Sequence, residues 1–138
     1  MNPDSKRSRE NYRRALKKLR EFVSTPITED RDKAGIIQAF EYSFEICWKT
    51  IQKIVVAHSK TVGSPKQAFQ AAFELGWIKE VDQDKWIKMV DDWNLAASTY
   101  LQALAGEVLG RIRSQHLISL ENLLLILEKE TECSDKPK

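Results

Sequence analysis

The chain has few of the residue types that build loops, disulfides and metal sites. Its 138 residues include five glycines, four prolines, two cysteines and two histidines. So few glycines and prolines, with no series of short strand patterns, disfavour a turn-rich sandwich or barrel and favour an all-α fold. The sequence also lacks a glycine-rich phosphate loop, a dinucleotide-binding glycine fingerprint and a nucleophile elbow. These absences remove the common sequence signals for nucleotide binding by backbone amides and for serine hydrolases.

The cysteines and histidines are too scattered to predict a metal site. Cys47 falls on an apolar helical pattern and Cys133 in a polar segment, so we expect free thiols in a reducing compartment. His58 and His116 fall on different predicted helices, with no carboxylate or cysteine at ligand spacing. The sequence therefore predicts neither a metal nor a cofactor.

No segment is predicted to enter a membrane. The leucine-rich stretch 117–127 is interrupted by Glu121 and Asn122 and is too short to cross a bilayer. The first residues are charged and contain no apolar run, so no signal peptide is expected. We expect a soluble, cytoplasmic protein.

The net charge of +2 is unevenly distributed. Residues 1–24 contain eight basic and three acidic side chains, so the remainder of the chain is net acidic. A basic first helix could favour RNA, DNA or an acidic protein partner. The alternative is an ordinary solvated helix face.

Apolar residues recur every three or four positions and predict an antiparallel four-helix bundle with one short extra helix. Residues 1–130 are assigned to a single domain and 131–138 to a polar, disordered tail. A break is expected near Asn94 to Thr99. The first predicted helix spans Ser5–Val23, and the second runs from a cap at Thr28 to His58. A short third helix runs from a cap at Ser64 to Gly76. The fourth begins at Asp82 or Asp84, and the fifth begins at Tyr100.

The second helix carries a charged stripe beside an aromatic one. Phe40 and Phe44 are apolar and helically spaced, whereas Glu41, Glu45 and Lys49 lie four residues apart on one stripe. Such a stripe is either a solvated helix face or part of a binding surface.

Three segments together resemble the nucleotidyltransferase substrate-binding protein family, a branch of the HEPN (higher eukaryotes and prokaryotes nucleotide-binding) helical domains. They are residues 40–50 (FEYSFEICWKT), 64–78 (SPKQAFQAAFELGWI) and 86–100 (WIKMVDDWNLAASTY). Their order and spacing match as well, and the similarity spans roughly residues 10–127.

The resemblance implies a helical bundle that forms a two-fold dimer. It also implies a partner, a separately encoded minimal nucleotidyltransferase, in a two-component, toxin–antitoxin-like module. The family name reflects similarity to the helical domain of aminoglycoside nucleotidyltransferases. In active HEPN members an arginine, four to six residues and a histidine form a metal-independent ribonuclease site at the dimer cleft. A tyrosine two positions after that histidine can be adenylylated by the partner.

This chain departs from the nuclease pattern at its two chemical positions. Trp93 stands where the resemblance places the arginine, and Ser98 stands where it places the histidine. An indole supplies no fixed positive charge, and a serine hydroxyl lacks the near-neutral pKa that moves protons at pH 7. Tyr100 keeps the place of the modification acceptor; the alternative is a tyrosine of the core or of a helix cap.

The sequence thus predicts a non-catalytic substrate-binding subunit that forms a homodimer and docks a nucleotidyltransferase. An HEPN-type ribonuclease toxin and a dimeric helical scaffold without a ligand site are the alternatives. Nucleotide or nucleic acid remains a candidate ligand. The residues expected at the cleft are Glu41, Glu45, Lys49, Trp93, Asn94, Ser98 and Tyr100.

Overall fold

The computed structural model describes residues 3–96 and 101–135, and the side chains of residues 4–96 and 104–130. Within those ranges every regular element is helical, which confirms the all-α prediction. The α-helices are α1 (Pro3–Ser24), α2 (Asp30–Val55), α3 (Pro65–Glu74), α4 (Gln83–Ala96), α5 (Leu101–Arg111) and α6 (Leu117–Asp135).

Three short segments complete the fold. Turns of 3₁₀ helix follow α2 at Val56–His58 and precede α4 at Glu80–Asp82. A π-helical turn over Ile112–His116 joins α5 to α6, and the backbone at Arg111 and Leu117 on either side is right-handed helical. The predicted fifth helix is therefore continuous over its described residues but widened by one π turn.

The ends of the helices follow the capping chemistry of the sequence, with one correction. Ser64 caps α3, its hydroxyl accepting from the backbone N–H of Gln67 at 3.2 Å. Gly76 has φ of 80°, the left-handed conformation that glycine tolerates after a helix. The predicted cap Thr28 is wrong: Glu29 is the cap of α2, and the carboxylate of Asp32 accepts from the backbone N–H groups of both Thr28 and Glu29.

The core lies between α1, α2 and the α5–α6 helix, with α3 and α4 covering the other side of α2. Phe40 and Phe44 of α2 are fully buried at its centre. Tyr12 of α1 is buried too, and its hydroxyl donates to the carbonyl of Leu120 at 2.6 Å, which ties α1 to α6. Cys47 is a buried free thiol, and burial raises its pKa to about 12.

Some of the basic side chains of α1 form ion pairs with α6. Arg13 pairs with Glu128 at 2.9 Å, and the Nε of Arg20 donates to Glu121 at 2.7 Å. These pairs join α1 to α6 along the outside of the bundle. They reduce the positive charge that this helix offers to a nucleic acid.

Two predictions stay untested: the break near Asn94 to Thr99 and the boundary between the domain and its polar tail. Residues 97–100, including Ser98 and Tyr100, lie outside the described residues, and so does half of the predicted break. The boundary between domain and tail at residue 130 also stays a prediction. None of the described helices is long and apolar enough to cross a membrane.

Candidate functional site

A groove lies between the middle of α2 and the end of α4. Its volume is about 420 Å³, within the range of small-molecule sites. It is lined by Gln38, Glu41, Tyr42, Glu45, Trp93 and Asn94. The spacing of 38, 41, 42 and 45 places four of these side chains on one face of α2, and the last turns of α4 supply the other two.

The groove combines a fixed aromatic ring with an exposed one. The Trp93 ring stacks on Phe44, with ring centroids 4.7 Å apart and planes 21° from parallel. Because Phe44 is fully buried, this stack holds the indole against the core. Tyr42 is 61% exposed, which is unusual for a large aromatic side chain and leaves its ring free to contact a partner or ligand.

The charges of the groove are carboxylates. Partial burial raises the pKa of Glu41, and no basic side chain in the described part of the chain pairs with it. Glu45 pairs with Lys49, four residues on, at 3.1 Å. Lys49 therefore lies one turn beyond the groove lining and neutralises only one of its two carboxylates.

Four of the seven residues that the sequence predicted for a cleft are thus adjacent. Glu41, Glu45, Trp93 and Asn94 line the groove, and Lys49 contacts it through Glu45. Gln38 and Tyr42 were missed, although both follow from the helical spacing of Glu41 and Glu45. Ser98 and Tyr100 cannot be placed, because both lie outside the described residues.

A buried charged cluster beneath the end of α4 was also missed. Asp92 accepts from the Nε and Nη2 of Arg111 at 2.7 and 2.8 Å, and its Oδ2 lies 2.7 Å from the Nε2 of His116. The His116 ring stacks on Phe40, with centroids 5.4 Å apart. The cluster joins α4, α5, the π turn and α2 directly behind Trp93.

The protonation state of this cluster follows from its contacts. Burial would raise the pKa of Asp92, but hydrogen bonds from Arg111 and His116 outweigh it and hold that pKa below its ordinary value. An ionised Asp92 only accepts, so Nε2 of His116 carries the proton. Burial lowers the pKa of His116, and its Nδ1 has no partner among the described residues. His116 is therefore neutral, since a proton on Nδ1 would be a buried donor with no acceptor there.

Arg111 and His116 are separated by four residues, the spacing that the HEPN resemblance associates with nuclease members. The structure gives this pair another role. His116 is 0% exposed, with Nε2 bonded to Asp92 and one ring face covered by Phe40. In this arrangement its ring cannot reach a phosphodiester. The pair is a buried link between helices.

The free energy of unfolding should fall as the pH is lowered from about 7.5 to about 5.5. Because the folded-state pKa of His116 is lowered, the unfolded chain takes up a proton first. The contribution of His116 to the free energy of unfolding is complete above the ordinary histidine pKa of about 6.5. It is lost as the pH falls towards the lowered folded-state pKa. Urea unfolding at the two pH values measures the change.

His116→Gln should flatten this pH dependence. His58→Gln is the matched control, because His58 is the other histidine and lies near the end of α2, paired with Glu130 at 3.2 Å. An equal loss of stability in the wild type and in His116→Gln would contradict the assignment of the effect to the buried cluster.

No metal site is added by the tertiary structure of the described residues. No group of three or more histidine, cysteine or acidic side chains among them is arranged to hold an ion. Each histidine instead contacts one carboxylate, His58 that of Glu130 and His116 that of Asp92.

Comparisons with known proteins identify the family. The model of the family described as nucleotidyltransferase substrate binding protein like matches residues 8–129. A crystal structure of a protein from Thermus thermophilus is similar, with 28% sequence identity and a TM-score of 0.76, over 84% of this chain and 98% of that one. The search of curated proteins gave no match. With nearly the whole chain matched, the protein belongs to the nucleotidyltransferase substrate binding protein like family.

Proposed function

We propose that this chain is a non-catalytic binding subunit. It forms a homodimer and docks a separately encoded minimal nucleotidyltransferase at the groove between α2 and α4, which thereby becomes part of the substrate site of the complex. The observation that carries the proposal is the groove itself, where Glu41, Glu45, Trp93 and Asn94 meet around one depression. The family's description as substrate binding supports the same role.

The chemistry of the groove supports binding without catalysis. Trp93, at the position of the nuclease arginine, is a neutral ring stacked on the core and cannot stabilise a developing phosphate charge. The nearest histidine–carboxylate pair, His116 with Asp92, is buried behind α4. Neither group is placed to move a proton on a molecule in the groove.

The same chemistry favours a positively charged ligand group. Glu41 has no cationic partner among the described residues, and Tyr42 and Trp93 present aromatic rings beside it. Carboxylates and aromatic faces both attract ammonium and guanidinium groups. Such a group would belong either to the nucleotidyltransferase substrate or to an arginine of the nucleotidyltransferase.

Ribonuclease activity has weaker support. The basic face of α1 was its sequence argument, and Arg13 and Arg20 on that face are paired with acidic side chains of α6. No observation among the described residues adds a catalytic group to that face.

Size-exclusion chromatography with light scattering tests the proposed assembly. Mixed with the proposed minimal nucleotidyltransferase partner, the chain should leave its own elution position and appear in a heavier peak containing both proteins. Alone, it should have the mass of two 15.9 kDa chains. Each protein run separately is the control. Two unshifted peaks at concentrations of about 100 µM would overturn the docking proposal, because even weak functional complexes form there.

A further inference from the structure

A second cavity, separate from the groove, lies between α3 and the first three turns of α4. Its volume is about 330 Å³, large enough for a small ligand. Its walls are mostly aromatic and aliphatic, and its rim carries one lysine and one aspartate. The residues used below are Lys66, Phe69, Phe73, Gln83, Trp86 and Asp91.

The apolar walls offer an aromatic surface against which a flat ring can pack. The rings of Phe69 and Trp86 have centroids 4.8 Å apart and are inclined by 41°. Phe69 and Trp86 keep 7% and 5% exposure, so a small part of each side chain remains accessible. Phe73 is half-buried beside them. Aromatic rings pack favourably against such walls in offset or edge-on contacts.

The lysine and the aspartate lie at the same end of the cavity. The end of α3 lies beside the end of α2, because Glu74 bonds Lys60 at 2.8 Å and Trp77 contacts the His58 ring. The end of α4 lies near the middle of α2, where Trp93 stacks on Phe44. Since Lys66 opens α3 and Asp91 lies near the end of α4, both belong to the end of the cavity away from the segment that connects α3 to α4.

Both charges are exposed and form no ion pair within the described structure. No ion pair joins Lys66 to Asp91 or joins either of them to another described side chain, whereas the neighbouring Lys60 and Lys85 are paired with Glu74 and Asp82. At the other end of the cavity, the amide of Gln83 also has no described hydrogen-bond partner.

We propose that this cavity binds a small zwitterionic aromatic molecule, of which an aromatic α-amino acid is the simplest. Its ring packs against the accessible parts of Phe69, Phe73 and Trp86. Its carboxylate contacts Lys66 and its ammonium contacts Asp91, the two oppositely charged side chains that line the cavity. Gln83, at the start of α4, offers hydrogen-bonding groups at the other end of the cavity for a ring nitrogen or hydroxyl.

Isothermal titration with three indole probes tests both the ring and the charges. L-Tryptophan carries both charges, indole-3-propionate only the anion, and tryptamine only the cation. L-Tryptophan should bind about tenfold more tightly than either of the others, since each lacks one charge-assisted contact. Lys66→Gln and Asp91→Asn should each weaken L-tryptophan binding about tenfold. They should leave the affinity for the probe that lacks the corresponding charge unchanged.

The matched control is Lys85→Gln, an exposed lysine of α4 that does not line the cavity. It should bind L-tryptophan like the wild type. Three outcomes would overturn the proposal: equal affinity for all three probes, undiminished L-tryptophan binding by both rim variants, or no binding at probe concentrations of about 1 mM. The substituted side chains are exposed, so the variants should fold, and their helical circular dichroism provides the check.

Discussion

Replacing Asp92 with alanine should lower the free energy of unfolding by about 3–5 kcal/mol. The substitution leaves the partly buried Arg111 without its bidentate partner and the fully buried Nε2–H of His116 without its described acceptor. Both consequences are more costly than the loss of a surface ion pair, because the remaining polar groups stay out of water. A loss of this size is a large fraction of the stability of a small domain, about 5–15 kcal/mol.

Urea unfolding at neutral pH measures the effect, and the adjacent residue supplies the matched control. Asp91→Ala removes an exposed carboxylate from the same helix and should change the free energy of unfolding by less than about 1 kcal/mol. Asp92→Asn, which keeps the shape and one carbonyl acceptor, should fall between the two. Equal and small effects at positions 91 and 92 would show that the cluster contributes nothing specific to the fold.

The helices could be predicted because their signals are local. Ser64, Pro65 and Gln67 mark the start of α3 through groups only three residues apart, and Gly76 marks its end through its own backbone freedom. The start of α2 was misplaced by one residue. Thr28 and Glu29 are both acceptable caps, and the choice depends on where the Asp32 side chain points.

The buried cluster could not be predicted in the same way. Asp92 lies 19 residues from Arg111 and 24 from His116, so no helical periodicity connects them. The sequence has no carboxylate at ligand spacing from His116, and the fold brings one to it from 24 residues away. The sequence signal for the cluster was an arginine and a histidine separated by four residues, together with an aspartate inside an apolar stretch of α4. No sequence pattern predicts the π turn that carries His116.

The groove could be predicted in part. Helical spacing predicted the stripe of Glu41 and Glu45, and the family resemblance placed Trp93 and Asn94 at the same cleft. The structure has all four side chains lining one groove. Tyr42 was missed because an aromatic residue on an apolar helix is normally assigned to the core, and its exposure depends on which helices leave that face of α2 uncovered.

The second large effect is expected at this groove. Tyr42→Ala should weaken binding of the companion nucleotidyltransferase by roughly 30-fold or more, the loss of about 2 kcal/mol typical of an aromatic side chain at the centre of an interface. Glu41→Gln should weaken it less, because it removes the charge and keeps the shape. Neither change should unfold the protein, since Tyr42 is largely exposed and Glu41 has no described ion pair.

Calorimetric titration of the companion enzyme into the wild type, Tyr42→Ala and Val81→Ala is the most direct measurement. Val81 is 82% exposed and does not line the groove, so it controls for the loss of an exposed apolar side chain. We predict tight binding by the wild type and Val81→Ala and strongly weakened binding by Tyr42→Ala. Equal affinity of all three proteins would contradict the assignment of the groove as the binding site.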